Sequence, residues 1–239
     1  DPALGTTDRT ASGHGTRVAG IIAAAGDGQG ITGIAWGGVQ VRAYTALGPD
    51  LRGTTAAVAA AIHCAIDDGA DVINLSLTTG DTTAMRNALD RAAAAGVVVV
   101  AAAGNGGNGQ HPGPYPAAHP SVLAVTAVVD GAGDERRAAF ANGGPWVDLA
   151  APGTGIMSTV PGGWSVADGT SYAVPFVSAA AALVLAREPG LDARSVQARL
   201  LDTAEPLADP TVGRGLLDVG AAVRAPLASS PPCRATASG

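Results

Sequence analysis

Residues 70–105 read ADVINLSLTTGDTTAMRNALDRAAAAGVVVVAAAGN. Two apolar runs, 70–77 and 97–105, flank a stretch with helical spacing that Gly96 ends. Asp81 is expected to cap that helix. The second run holds four valines and three alanines in succession, with no polar residue to face water. A strand of that kind is buried on both faces, which is the condition of a parallel sheet covered by helices on either side.

The alternation extends in both directions. Upstream, TTAAVAAAIHCAIDDG (54–69) reads as a helix capped by threonine and ended by glycine, and VQVRAY (39–44) as a strand. Downstream, 121–128 and 146–151 read as strands, 171–188 as a long helix, and Asp192 caps a shorter helix through Leu201. The end, APLASSPPCRATASG, has the composition of an extended, solvated tail. One α/β domain over 1–222 and a Pro/Ser/Ala-rich tail over 223–239 are expected.

Composition narrows the function. The 239 residues are 47% hydrophobic, enough for a sizeable core, and only 14% charged. All basic residues are arginine, and the formal net charge is -6, so no basic patch is available for phosphates and nucleic acid is not an expected partner. No nearly uncharged apolar run reaches the roughly 18 residues of a membrane span. Cys64 and Cys233 are either a bridge or two separate thiols, and both readings stay open.

Ligands of parallel α/β sheets bind beyond the carboxyl ends of the strands, and three loops there carry chemistry. They are Ser12-Gly13-His14-Gly15-Thr16, Ala103-Gly104-Asn105-Gly106 and Asp168-Gly169-Thr170-Ser171-Tyr172. Ser171 enters a helix from a glycine turn, which suits a nucleophile whose attack makes an oxyanion, although an ordinary N-cap serine stands at the same kind of place. Pro175 has no N–H to give the Ser171 carbonyl. Asn105 is either a projecting amide donor or a left-handed turn residue, and His14 a general base or a hydrogen-bonded loop residue. His63 reads as packing, and His111 and His119 as solvated loop residues.

Together these stretches resemble the subtilisin-like serine peptidases. GHGTRVAGIIAA resembles the family's histidine block, AAAGNGG its oxyanion asparagine block, and GTSYAVPFVSAAAALV its nucleophile block. DVINLSL resembles the substrate-strand segment and FANGGPWVDLAAPGTGIMST the stretch before the serine, so that the resemblance covers roughly residues 1–222. It implies a three-layer α/β/α fold with a mostly parallel central sheet. It implies a serine endopeptidase in which His14 is the base, Ser171 the nucleophile, and Asn105 with the Ser171 N–H the oxyanion hole. Leu75, Ser76, Leu77, Thr78, Ala103 and Gly104 are then expected to bind substrate, which adds as a strand between 75–79 and the 47–53 loop. Thr78 and Thr79 stand where many relatives carry glycines, which should reshape the first pocket, and Phe176 stands where many carry histidine.

One part departs from the pattern. The family's aspartate lies before the histidine in an Asp-Thr-Gly or Asp-Ser-Gly turn, and neither tripeptide occurs before His14. Asp1 and Asp8 are the aspartates there, and neither follows an apolar strand. The orienting aspartate and its strand are therefore expected upstream of residue 1. The competing readings are that another carboxylate substitutes, and that the chain is a catalytically inactive relative that keeps the peptide groove. No cofactor is expected; calcium is common in the family, but no acidic cluster of ligand-like spacing is present. A monomer acting on peptides or proteins, outside the cytoplasm or in the cell envelope, completes what the resemblance implies.

Overall fold

The computed structural model describes residue 10 and residues 12–107, 113–129 and 135–225. Asp1, Asp8, His111, Cys233 and residues 226–239 lie outside the described residues. In chain order the elements are α1 (His14–Ala23), α2 (Thr55–Asp67), β1 (Val72–Leu75), α3 (Thr83–Ala94), β2 (Val98–Ala102), β3 (Val122–Val129), β4 (Arg136–Arg137), β5 (Leu149–Pro152), β6 (Ile156–Val160), β7 (Gly163–Ala167), α4 (Thr170–Arg187), α5 (Ala193–Asp202), a short 3₁₀ turn (Pro210–Val212) and α6 (Val219–Arg224).

Strands β1, β2, β3 and β5 form a parallel sheet in that order, with Val72 opposite Val98, Val100 opposite Leu123 and Val125 opposite Leu149. The two-residue β4 runs antiparallel to the end of β3. All five residues of β2 are buried, as its unbroken apolar run requires. Successive side chains of a strand point to opposite faces, so the run divides between two cores. Val98, Val100 and Ala102 pack with α4, α5 and α6. Val99 and Ala101 pack with α2 and α3. Each buried valine stabilises the fold by about 1.5–3 kcal/mol. The result is the expected three-layer arrangement, with the loops after β1 and β2 opening on one end of the sheet.

Helix α4 is long and apolar enough to cross a membrane by length and composition alone, but 61% of it is buried inside the protein. It is the core helix, its alanine-rich faces lying against the sheet, α1, α5 and α6. Phe176 packs at the edge of that core.

Several expectations are corrected. Residues 39–44 form no strand and are mostly exposed. The segment has strand-forming residues but no ladder partner, and Arg42 and Tyr44 bind Asp68 at the end of α2 instead, Tyr44 Oη donating to Asp68 Oδ2 at 2.6 Å. Asp81 does not cap α3: Thr82 accepts from the Met85 N–H, and Asp81 grips the Arg86 guanidinium. His119 is not solvated but 8% exposed, its Nδ1 2.9 Å from Ser121 Oγ, and burial pushes its pKa down. His63 lies beside Arg91 at 3.1 Å, and Cys64 is an exposed free thiol. Ser171 is not the cap of α4, whose N-cap is Gly169.

Sequence reading also passes over the hairpin β6–β7. Its strands are joined by Pro161-Gly162, with Gly162 at φ 86, the residue pair that a tight turn with a left-handed second position demands. The hairpin leads directly into the turn before α4.

Candidate active site

His14 opens α1 because Gly13 precedes it. Gly13 adopts φ 61, and a Cβ there would sit 2.5 Å from Pro161 Cδ at the hairpin turn. The His14 N–H donates to Thr10 Oγ1 at 3.1 Å. The helix is moored to the hairpin along its first turns: Ser158 Oγ donates to the Arg17 carbonyl at 2.7 Å, Thr159 Oγ1 to the Thr16 carbonyl at 2.9 Å, and Arg17 Nη1 to the Ser165 carbonyl at 3.1 Å. One hairpin thus holds the histidine helix and, through β7, feeds the serine turn. The His14 and Tyr172 rings lie 5.8 Å apart across that junction.

Ser171 occupies the second position of α4, where a backbone N–H has no intrahelical acceptor. Its carbonyl would ordinarily accept from residue 175, and Pro175 cannot donate. Ser76 Oγ donates to that carbonyl instead, at 2.7 Å, which joins the serine turn to the strand segment after β1. The Ser171 hydroxyl donates to the Ser76 carbonyl at 3.1 Å. The Ser171 hydroxyl is thereby turned onto the cleft wall.

Asn105 is oriented by Thr170, a residue that sequence reading does not single out. The Thr170 N–H and hydroxyl both donate to Asn105 Oδ1, at 3.0 and 2.8 Å. Thr170 Oγ1 also accepts from the Gly104 N–H at 3.1 Å. With its oxygen fixed by two donors, the amide presents Nδ2 on the other side. Among the described residues neither Asn105 Nδ2 nor the Ser171 N–H meets an acceptor, and both belong to residues lining one cleft.

A second unrecognised residue, Asn142, clamps the loop from below. It is 3% exposed. Its Nδ2 donates to the Ala103 carbonyl at 2.8 Å, its Oδ1 accepts from the Gly106 N–H at 3.0 Å, and its own N–H donates to the Gly104 carbonyl at 2.9 Å. Thr126 Oγ1 donates to its carbonyl at 2.6 Å. Gly104 is at φ 94, and a Cβ there would meet Asn142 Nδ2 at 2.8 Å and Thr78 Cγ2 at 3.3 Å. Only glycine lets the loop pass between them.

The cleft, about 720 Å³, brings His14, Asn105 and Ser171 together with Ser76, Leu77, Thr78 and Gly104. Leu75 and Ala103 do not line it. They are 7% and 0% exposed; Leu75, at the end of β1, packs into the core with α2 and α3, and Ala103 is buried just after β2. The Thr79 N–H is already engaged, donating to the Tyr115 carbonyl at 2.6 Å. Among the described residues no three His, Cys, Asp or Glu side chains form a group that could hold a metal ion.

The profile of the Subtilase family matches residues 1–216. Subtilisin DY from Bacillus licheniformis is 41% identical over 218 residues, covering 89% of this chain and 78% of that protein. Subtilisin E from Bacillus subtilis (strain 168) is 40% identical over 219 residues, 89% of this chain but 56% of the relative. Among solved structures, that described as proteases from Pseudoalteromonas arctica PAMC 21717 superposes with a TM-score of 0.79 at 31% identity, over 88% of this chain and 70% of the other. Sphericase superposes with a TM-score of 0.76 at 30% identity, over 83% and 71%. Matched along most of its length in sequence and in fold, and bearing its histidine, asparagine and serine around one cleft, the chain belongs to the subtilase family of serine-type peptidases.

Proposed function

We propose that this chain is a serine endopeptidase whose nucleophile is Ser171, general base His14 and oxyanion donors Asn105 Nδ2 and the Ser171 N–H. The observation that carries the reading is a pair of N–H groups without acceptors among the described residues, on two residues that line one cleft with His14: the Asn105 amide, pinned by Thr170, and the Ser171 N–H at a helix N-terminus. A peptide lying along 76–78 places its scissile carbonyl over Ser171. Ser171 Oγ leaves the Ser76 carbonyl, adds to the carbon and gives its proton to His14. The oxyanion takes the two open donors, and His14 then protonates the departing amine. Water repeats the sequence on the acyl-enzyme.

The imidazole needs a carboxylate to fix its tautomer and stabilise its charge. We assign this to an aspartate on a strand seated against the outer edge of β1, expected upstream of residue 1. Among the described residues β1 pairs only with β2, and residues 39–44 have no ladder partner. The same reading has the protein acting as a monomer on peptides or proteins, outside the cytoplasm or in the cell envelope. Incubation with a fluorophosphonate and peptide mapping test it. An adduct confined to Ser171, lost in Ser171→Ala and slowed in His14→Ala, is expected. Peptide binding with no adduct, with or without an aspartate-bearing strand joined ahead of residue 1, would establish the non-catalytic binding protein instead. The Ser171 hydroxyl's bond to the Ser76 carbonyl favours that second reading.

A further inference from the structure

The wall of the cleft opposite 76–78 is the 47–53 loop, and its charge is unusual for this chain. Arg52 lines the cleft together with Leu47, Leu51 and Gly53, and among the described residues no aspartate or glutamate does. The protein as a whole carries a formal charge of -6, so the cation is local to the groove. Elsewhere Arg42, Arg86, Arg91, Arg137, Arg199 and Arg214 are each paired with a carboxylate. The Arg52 guanidinium makes no ion pair or hydrogen bond among the described residues.

Its backbone, by contrast, is firmly held. The Arg52 carbonyl accepts from the Gly48 N–H at 2.7 Å, the Leu51 N–H donates to the Gly48 carbonyl at 3.0 Å, and the Arg52 N–H donates to Asp50 Oδ1 at 3.1 Å. Leu51 is the one described non-glycine residue with positive φ, at 60, a conformation kept only where the surroundings enforce it. Leu51 is 40% exposed and lines the cleft beside Arg52. The Asp50 carboxylate is turned onto the loop backbone and is not part of the lining. A strained, self-bonded turn therefore presents an apolar side chain and an open five-donor fork to whatever lies in the groove.

We propose that the cleft selects peptides carrying a carboxylate side chain in the segment that pairs between 76–78 and the 47–53 loop, with Arg52 as the specificity-determining cation. This rests on the reading of the cleft as a peptide groove. An exposed charge pair of this kind changes affinity roughly two- to fivefold, more where the guanidinium binds both carboxylate oxygens, and salt weakens it.

The test uses sets of fluorescent peptides differing only in Glu, Gln or Lys at successive positions. Binding to the Ser171→Ala protein is followed by anisotropy, and cleavage by the parent protein by mass spectrometry. At one or two adjacent positions Glu should bind at least about fivefold tighter than Lys at low salt. Arg52→Gln should level the pair, Arg52→Glu should invert it, and Arg52→Lys should retain only part of the preference. Equal binding of Glu and Lys peptides, or a preference that survives Arg52→Glu, overturns the proposal, as does failure of every peptide to bind. Glu-selective binding without cleavage or fluorophosphonate labelling leaves it standing and removes the peptidase reading instead.

Discussion

Asn142 gives the sharpest prediction, because it makes the shape of the oxyanion loop a matter of two side-chain hydrogen bonds. Asn142→Leu keeps the volume and removes both. The Ala103 carbonyl, in a residue with no solvent exposure, loses its donor, and the Gly106 N–H loses its acceptor. Gly106 is exposed and water can replace its acceptor, so the cost falls on the Ala103 carbonyl: the fold loses about 1–3 kcal/mol and melts roughly 2–12 °C lower. The loop also carries Asn105, so turnover falls by up to the 10²–10³ that losing an oxyanion donor costs, a magnitude established with subtilisin itself and not worked out from this chain. KM should move little. Asn142→Asp keeps the acceptor, and its carboxyl can donate to Ala103 only while protonated. Burial raises its folded pKa above the unfolded value, so its stability is fully present below the unfolded pKa and lost as pH rises through the folded one. The assay is Tm by calorimetry beside the rate of fluorophosphonate labelling, in parent and Asn105→Ala backgrounds. With Asn105 gone the labelling defect of Asn142→Leu should vanish while the Tm defect stays. Melting and labelling unchanged from the parent, or a labelling defect fully additive with Asn105→Ala, would refute the reasoning.

Other consequences can be checked in the same way. Ser76→Ala leaves the Ser171 carbonyl without the donor that replaces Pro175, and should lower stability by about 1–3 kcal/mol and slow labelling, measured by denaturant titration and mass spectrometry. Burial pushes the Asp148 carboxyl up, so its favourable contribution is lost as pH rises through its folded pKa; Asp148→Asn should match the parent in acid and melt higher above that pKa, seen in a Tm-against-pH series. Arg199, bonded to both Glu188 carboxylate oxygens at 2.6 and 3.0 Å, pulls the Glu188 pKa down, so that contribution is present above the unfolded pKa and lost as pH falls through the folded one. Glu188→Gln should therefore narrow its stability gap to the parent below about pH 4.

The parallel core is legible because it depends on patterns local to the chain. An all-apolar run such as 97–103 can only be buried on both faces, and the threonine cap of α2 forms as read, Thr54 Oγ1 accepting from the Ala57 N–H at 3.1 Å. Cap placement fails by one residue at α3, where Asp81 and Thr82 both accept well and Arg86 draws the aspartate away. Residues 39–44 show the limit of strand propensity: a ladder needs a neighbour, which composition does not reveal. In the site, His14, Asn105 and Ser171 stand in recognisable blocks. Thr170 and Asn142 act on atoms 65 and 36 residues away, and nothing near them in sequence announces those partners. The hairpin did leave a signal, the Pro161-Gly162 pair between alternating residues.

The central claim is that Ser171, His14 and Asn105 form one catalytic unit, and covalent trapping at Ser171 tests it most directly. The account predicts a single fluorophosphonate adduct on Ser171, absent in Ser171→Ala, slowed in His14→Ala and Asn105→Ala. It also predicts acceleration on the order of 10⁴ when an aspartate-bearing strand is seated beside β1, the loss other serine proteases suffer without their aspartate. No adduct with that strand in place, or a labelling rate indifferent to His14, would contradict it.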